Sequence, residues 1–274
     1  AGWRFMFLCV SIPAIIVGIL CLFVLKDKPS QAKWLDEDEK LWLEGALAKE
    51  NSQKEGNAHG KGGLRAAFGS GRVWMLAAVY FGFIYGLYAL SFFLPTIIDG
   101  FQEQFGTTFD LFQKGLITAI PYVPAAVVLY FWSRDAFRRG VRVWHIAVPA
   151  LVGGLSIPVA LYMNSPAATV AVIAITACSI FAALPNFWTV PTQFLTGAAA
   201  AAGVALINTV GNLCGFAAPY ITGAVSEWTG GYQVPMFIVG FFMVLSSVLM
   251  FTLARNTKKH EAAEPQQTVQ ETTA

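Results

Sequence analysis

The sequence predicts an all-α, polytopic membrane protein of about seven transmembrane helices, and three observations predict it. The 274 residues are 56% hydrophobic and only 12% charged, whereas a globular domain averages about a quarter charged. Apolar runs at residues 5–25, 73–98, 113–132, 144–163, 168–190, 203–226 and 234–254 each match the roughly 20 helical residues that cross a hydrocarbon core. The charges are confined to the patches between those runs.

Taken in order, the first element is a span within residues 1–25. It follows Gly2-Trp3-Arg4, has no methionine at its head, and is too long for the apolar core of a signal peptide, so the chain is expected to continue upstream. Residues 26–72 form the long polar stretch. Pro29 stops the first span, and Asp36-Glu37-Asp38-Glu39 precede Leu41, Trp42, Leu43 and Leu47. Carboxylates in a first turn suit the helix macrodipole, and they lack the alternation around a glycine that a calcium loop needs. A short amphipathic surface helix is expected there, followed by a flexible linker over the Gly-, Ser-, Asn- and Lys-rich residues 51–63. Residues 73–254 carry the other six spans. Residues 255–274 hold too little apolar surface to offset the entropy of ordering, which predicts a disordered tail.

Orientation follows from the basic residues, 16 of the 18 Lys and Arg falling in 26–72, 133–143 and the tail. Such residues are retained on the cytoplasmic side. The opposite side keeps Arg4 and Lys114 beside Asp99, Glu103, Asp110 and Glu227. Seven spans and the charge rule agree, placing the first residue outside and the tail inside a multi-pass cytoplasmic membrane protein whose first partner is the lipid bilayer. A net charge of +2 supplies no basic field for nucleic acid. Cys9, Cys21, Cys178 and Cys214 lie inside apolar runs without metal-ligand or disulfide spacing. No cofactor or metal is expected, and no Ser, His and Asp constellation supports an enzyme.

Between residues 73 and 254 the span interiors contain no Asp, Glu, Lys or Arg, the usual carriers of charge at membrane depth. Neutral polar groups remain: Tyr80, Tyr85, Tyr88 and Ser91, then Asn186, Trp188 and Gln193, then Asn208 and Asn212. A buried amide needs a partner or water. Asn208 and Asn212, four apart, share one helical face, while Gly211, Gly215 and Pro219 allow bending and close approach. The pair either lines a cavity or hydrogen-bonds helices together. Tyr85 and Tyr88 bracket Gly86 too deep for the interfacial belt, whereas Trp74, Trp132, Trp144 and Trp228 stand at span ends as headgroup anchors. His145, at the start of a span, reads as an interface residue.

The stretch Leu184-Pro185-Asn186-Phe187-Trp188-Thr189-Val190-Pro191-Thr192-Gln193-Phe194-Leu195-Thr196-Gly197, with Gly203 through Phe216 after it, resembles spans 10 and 11 of the anion:cation symporter family. That family is a branch of the major facilitator superfamily and includes tartrate-, phthalate- and galactonate-type permeases. Gly2-Trp3-Arg4 looks like the start of span 6, and Trp34-Leu35 with its acidic helix like the central loop. Tyr85-Gly86-Leu87-Tyr88 through Leu94-Pro95-Thr96-Ile97 looks like span 7. Trp132-Ser133-Arg134 and Arg142 through Trp144-His145 also fit, but the family's Asp-Arg pair in that loop reads Phe137-Arg138, with an acid at Asp135 instead.

The resemblance covers roughly residues 1–255 and implies span 6 plus the whole carboxyl-terminal half of a two-half transporter. It implies proton-coupled symport of a small organic anion by alternating access. Trp188 and Asn208 would line the site with Tyr85 and Asn212 as neighbours. The coupling carboxylates and a substrate-pairing arginine would belong to a missing amino-terminal half, the remaining partner of this chain. A sensor on a transporter fold, or a carrier of a different solute class, is the alternative.

Overall fold

The computed structural model describes residues 2–26, 28–57, 63–106, 109–195 and 197–271, and these are helical throughout apart from short turns. The chain divides into two compact units, Ala1–His59 and Gly60–Ala274. The first unit holds α1 (Gly2–Val24), a 3₁₀ turn at Pro29–Gln31, and α2 (Glu37–Asn57). α1 has no buried residue, and its apolar side chains run around the whole helix, the pattern of a membrane span. Its Ser11 hydroxyl donates to the Phe7 carbonyl one turn back. α2 opens with Glu37, Asp38 and Glu39 in its first turn. The Glu39 carboxylate accepts from the Asp36 backbone N–H at 3.2 Å, and Lys40 pairs with Glu37 at 2.7 Å.

Here the structure corrects one expectation, because α2 continues to Asn57 through residues read as linker. Ala, Lys, Glu and Gln are strong helix formers, and extending an existing helix avoids the cost of nucleation. The rest of the linker, with His59 and Lys61, lies outside the described residues.

The second unit runs α3 (Gly63–Gly69), α4 (Gly71–Phe105), α5 (Leu111–Ala119), α6 (Tyr122–Arg139), α7 (Trp144–Val159), α8 (Pro166–Phe187), α9 (Pro191–Phe194), α10 (Gly197–Asn212), α11 (Cys214–Thr229) and α12 (Gln233–Glu271). Together with α1, the described residues form seven helical stretches long and apolar enough to cross a membrane. The sixth and the third are each broken once. In the third, Pro121 lacks the N–H that would continue α5 into α6. In the sixth, the Asn212 side chain donates to the Asn208 carbonyl at 2.9 Å, a back-bond that bends helices. The next turn tightens, Phe216 N–H reaching Leu213 O three residues back at 3.1 Å.

Local chemistry sets the other ends. Asp110 and Gln113 form a reciprocal capping box at the start of α5, and Ser165 caps α8 through Ala168 N–H. Gly230, at φ 72°, takes the left-handed turn that ends α11. Lys114 pairs with Asp99, tying α5 to α4. α12 stays helical to Glu271, through residues expected to be a disordered tail; a Glu-, Gln- and Ala-rich continuation needs no burial to propagate.

α4 is the central helix of this unit, packed against α8, α10, α11 and α12, while α7 lies between α8 and α12 and α6 covers α8. Lipid is as apolar as leucine, so close packing and hydroxyl hydrogen bonds must hold such helices together. Both are visible. Gly154 of α7 and Gly240 of α12 meet so closely that a Cβ on either would fall within 2.8 Å of the other's carbonyl oxygen. Ser246 donates to Val79 O at 3.0 Å, Ser247 to Ala147 O at 2.7 Å, and the Cys214 thiol to Phe81 O at 3.2 Å.

Candidate functional site

The site is assembled where α4, the end of α8 and the end of α10 meet. α8 stops at Phe187, between Pro185 and Pro191, and Trp188 caps it in a helical conformation. Asn186 is buried and donates to Ala182 O at 2.8 Å, while the Thr189 hydroxyl donates to Asn186 O at 2.8 Å. Those two polar groups are therefore spent on closing the turn.

Trp188 remains half-buried. Its ring meets Tyr80 of α4 edge-on at 4.8 Å and Phe187 at 5.4 Å, and Tyr80 in turn stacks on Phe187 at 5.4 Å and 15°. The Tyr80 ring also rests on Gly211 of α10, where an added Cβ would come within 2.1 Å of Tyr80 Cδ1. One aromatic ring thus joins three helices.

Asn208 and Asn212 are both exposed, on the face of α10 adjoining the Gly211 contact. Asn212 Nδ2 donates to Asn208 Oδ1 as well as to its carbonyl, both at 2.9 Å. The two amides are locked to each other, which leaves Asn208 Nδ2 as a donor and Asn212 Oδ1 as an acceptor for a third party. Further along the same face stand Phe216 and Tyr220, exposed and stacked at 5.5 Å, and α4 contributes Tyr88 stacked on Phe92 at 6.0 Å. Gly215 lets α11 lie against the Tyr88 ring.

Of the four residues singled out from the sequence, the structure places Asn208, Asn212 and Trp188 around this locus and places Tyr85 elsewhere. Tyr85 is fully buried, its hydroxyl 3.5 Å from Thr222 and its ring 4.9 Å from Phe242. Five residues past Tyr80, it points to another face of the helix. Tyr80 itself was legible only as one neutral polar residue among several. The signal that could have marked it is Gly211, a glycine between two asparagines in a membrane helix, which invites a large ring from a neighbour.

The loop at the far end of α6 holds a second polar cluster. His145, read as an interface residue, is fully buried: it stacks on Trp144 at 3.8 Å and accepts the Arg142 N–H through Nδ1 at 3.0 Å. Its Nε2 lies 3.5 Å from the Asp135 carboxylate, which also pairs with Arg139 at 2.8 Å. Trp132 donates its ring N–H to His145 O at 2.9 Å. The acid displaced to Asp135 therefore still finds a basic partner in Arg139, and Trp132 and Trp144 pack this corner in addition to standing at span ends.

The fold defines a polytopic α-helical membrane protein with a neutral, amide- and aromatic-lined locus facing out of a six-span bundle. The chain belongs to the Major Facilitator Superfamily, whose family model matches residues 1–219. Among curated relatives it is 36% identical over 259 residues to a protein of Agrobacterium vitis named "Putative tartrate transporter", covering 94% of this chain and 56% of that one. It is 32% identical over 250 residues to the "Quinolone resistance transporter" of Acinetobacter baumannii, covering 91% and 56%. To the "Inner membrane transport protein RhmT" of Escherichia coli it is 32% identical over 255 residues, covering 93% and 57%. The chain therefore spans a little over half the length of these relatives.

Proposed function

We propose that this chain is the carboxyl-terminal part of a secondary active transporter that carries a small organic anion by alternating access, in symport with a proton. The observation that carries the reading is the exposed Asn208–Asn212 pair, mid-span and next to the Tyr80–Trp188 cluster. A donor and an acceptor held in fixed geometry suit the hydroxyl and carboxylate groups of a tartrate- or sugar-acid-like solute. The name of the Agrobacterium relative supports the same solute class. In this reading Trp188 forms one wall and Tyr80 supports it, while the partly buried Tyr88 takes the place first assigned to Tyr85. The charge-free interior implies that the coupling carboxylates and a solute-pairing arginine stand in the part of the relatives' length that this chain does not cover. Residues 26–72, 133–143 and the tail face the cytoplasm, and the protein resides in a cytoplasmic membrane.

The test is uptake of labelled tartrate, galactonate and an aromatic carboxylate by cells expressing the chain in its natural reading frame, with and without a proton gradient. Gradient-driven uptake of one acid, lost in Asn208→Ala at preserved surface expression, is the expected result. The quinolone-named relative favours a second reading, efflux of an amphipathic aromatic solute. No uptake of any acid, combined with gradient-dependent loss of accumulated quinolone, would select it.

A further inference from the structure

Tyr80 is nearly buried, 8% exposed, so it offers little surface to a solute. What it touches sets it apart: Trp188 edge-on at 4.8 Å, Phe187 in a stack at 5.4 Å, and the backbone of α10 at Gly211. Gly211 stands between Asn208 and Asn212, so the ring bears on the helix at the level of the amide pair. The space is used up, since a Cβ at Gly211 would fall 2.1 Å from Tyr80 Cδ1 and 2.6 Å from Cε1. A rigid ring of fixed thickness spaces two elements more reproducibly than a flexible aliphatic chain does, because it has only two side-chain torsions to lose.

We propose that Tyr80 is a positioning residue: wedged between Gly211 and Trp188, its ring fixes the separation of the Trp188 wall from the Asn208–Asn212 pair and so sets the size of solute the site accepts. The inference rests on the solute site proposed above. Two features follow from the geometry. The bulk of the ring sets the spacing, while its hydroxyl bonds Trp188, so Tyr80→Phe keeps the spacing and removes only that bond. The spacing also responds in opposite senses to the two neighbours, Gly211→Ala pushing the ring toward Trp188 and Tyr80→Leu letting Trp188 collapse toward α10.

The experiment measures uptake kinetics and competition by acids of increasing size for Tyr80→Phe, Tyr80→Leu and Gly211→Ala, each in the natural reading frame and normalised to surface expression. It is paired with the fluorescence of purified protein, taken as the difference from the same variant carrying Trp188→Phe. Tyr80→Phe, which keeps the ring, is expected to retain the parent's rank order of competing acids and to shift KM and the Trp188 emission less than either other variant. Gly211→Ala and Tyr80→Leu are each expected to raise KM by about tenfold, the scale of one misplaced hydrogen bond, with little change in maximal rate. They should also change the rank order of competing acids and shift the Trp188 difference emission. If both variants lose only stability or expression, with KM, rank order and Trp188 emission unchanged, Tyr80 merely fills space and the proposal is wrong. If the parent transports no acid yet the two variants shift the Trp188 emission further than Tyr80→Phe does, the solute assignment fails while the positioning role stands. Should Gly211→Ala fail to fold, Tyr80→Leu decides, since it removes bulk instead of adding it.

Discussion

Gly154→Ala is the most incisive test of how the bundle is held together. A Cβ at Gly154 would lie 2.8 Å from Gly240 O and 2.9 Å from Val244 N, about 0.6 Å inside ordinary contact, and both obstacles are backbone. No rotamer change relieves a clash with backbone, so α7 and α12 must separate along the whole crossing. An opening of about 0.5–1 Å forfeits a quarter to a half of each dispersion contact it touches, and overpacking of this kind costs about 1–3 kcal/mol. Alanine gains up to about 1 kcal/mol through helix propensity at any helical glycine, so relative to Gly223→Ala, which gains it without a clash, the loss is about 2 kcal/mol. For a unit of this size that is a fall of about 4–8 °C in Tm. The assay is thermal unfolding of the detergent-solubilised protein, followed by size-exclusion chromatography. Gly223→Ala is the control, because a Cβ there meets nothing within 4 Å. If Gly154→Ala lowers Tm no more than Gly223→Ala does, the crossing is not close-packed and the reasoning fails.

Ser247→Ala removes the buried 2.7 Å bond to Ala147 O and is expected to cost about 1 kcal/mol, read as a smaller Tm drop in the same assay. The Cys214 thiol, fully buried and directed at Phe81 O, should resist alkylation until the protein unfolds; mass spectrometry of time points decides, and early modification of Cys214 would contradict its burial. Trp132→Phe deletes the 2.9 Å bond to His145 O and should speed tryptic cleavage after Arg138, Arg139 or Arg142, with no acceleration expected if the corner is held by stacking alone.

The architecture was legible because membrane spans depend on a coarse variable, the length of an apolar run. Each expected run has a helical counterpart, although the break at Pro121 in the third was not read from the sequence. The ends were less legible: α2 and α12 continue through residues whose polarity suggested loop and tail, because polarity bears on burial while helix propensity bears on the backbone. At the candidate site the helical spacing of Asn208 and Asn212 was readable and the pair does interlock. Tyr85 and Tyr80 could not be ranked from sequence, since both are tyrosines in one apolar helix and only the neighbours on each face separate them. His145 shows the same limit: its burial depends on Trp144, Trp132 and Asp135 folding over it, a tertiary fact without a local signature.

The hydroxyl bonds and the glycine notches of this bundle differ in what they permit. A serine that donates to a carbonyl on the next helix uses the spare lone pair of an acceptor that recurs at every turn, about 5.4 Å further along. Such a bond can be remade one step up or down. The Gly154–Gly240 crossing has no second position, because Ala150 and Pro158 stand one turn either side of Gly154, Met236 and Val244 one turn either side of Gly240, and each backbone already occupies the other's gap. α7 and α12 are therefore pinned like two bars bolted at one point, free to change angle but not to slide. Any rearrangement this half undergoes must pivot there and take up its travel in α10, α11 and the turn after α8, where the chain is already broken.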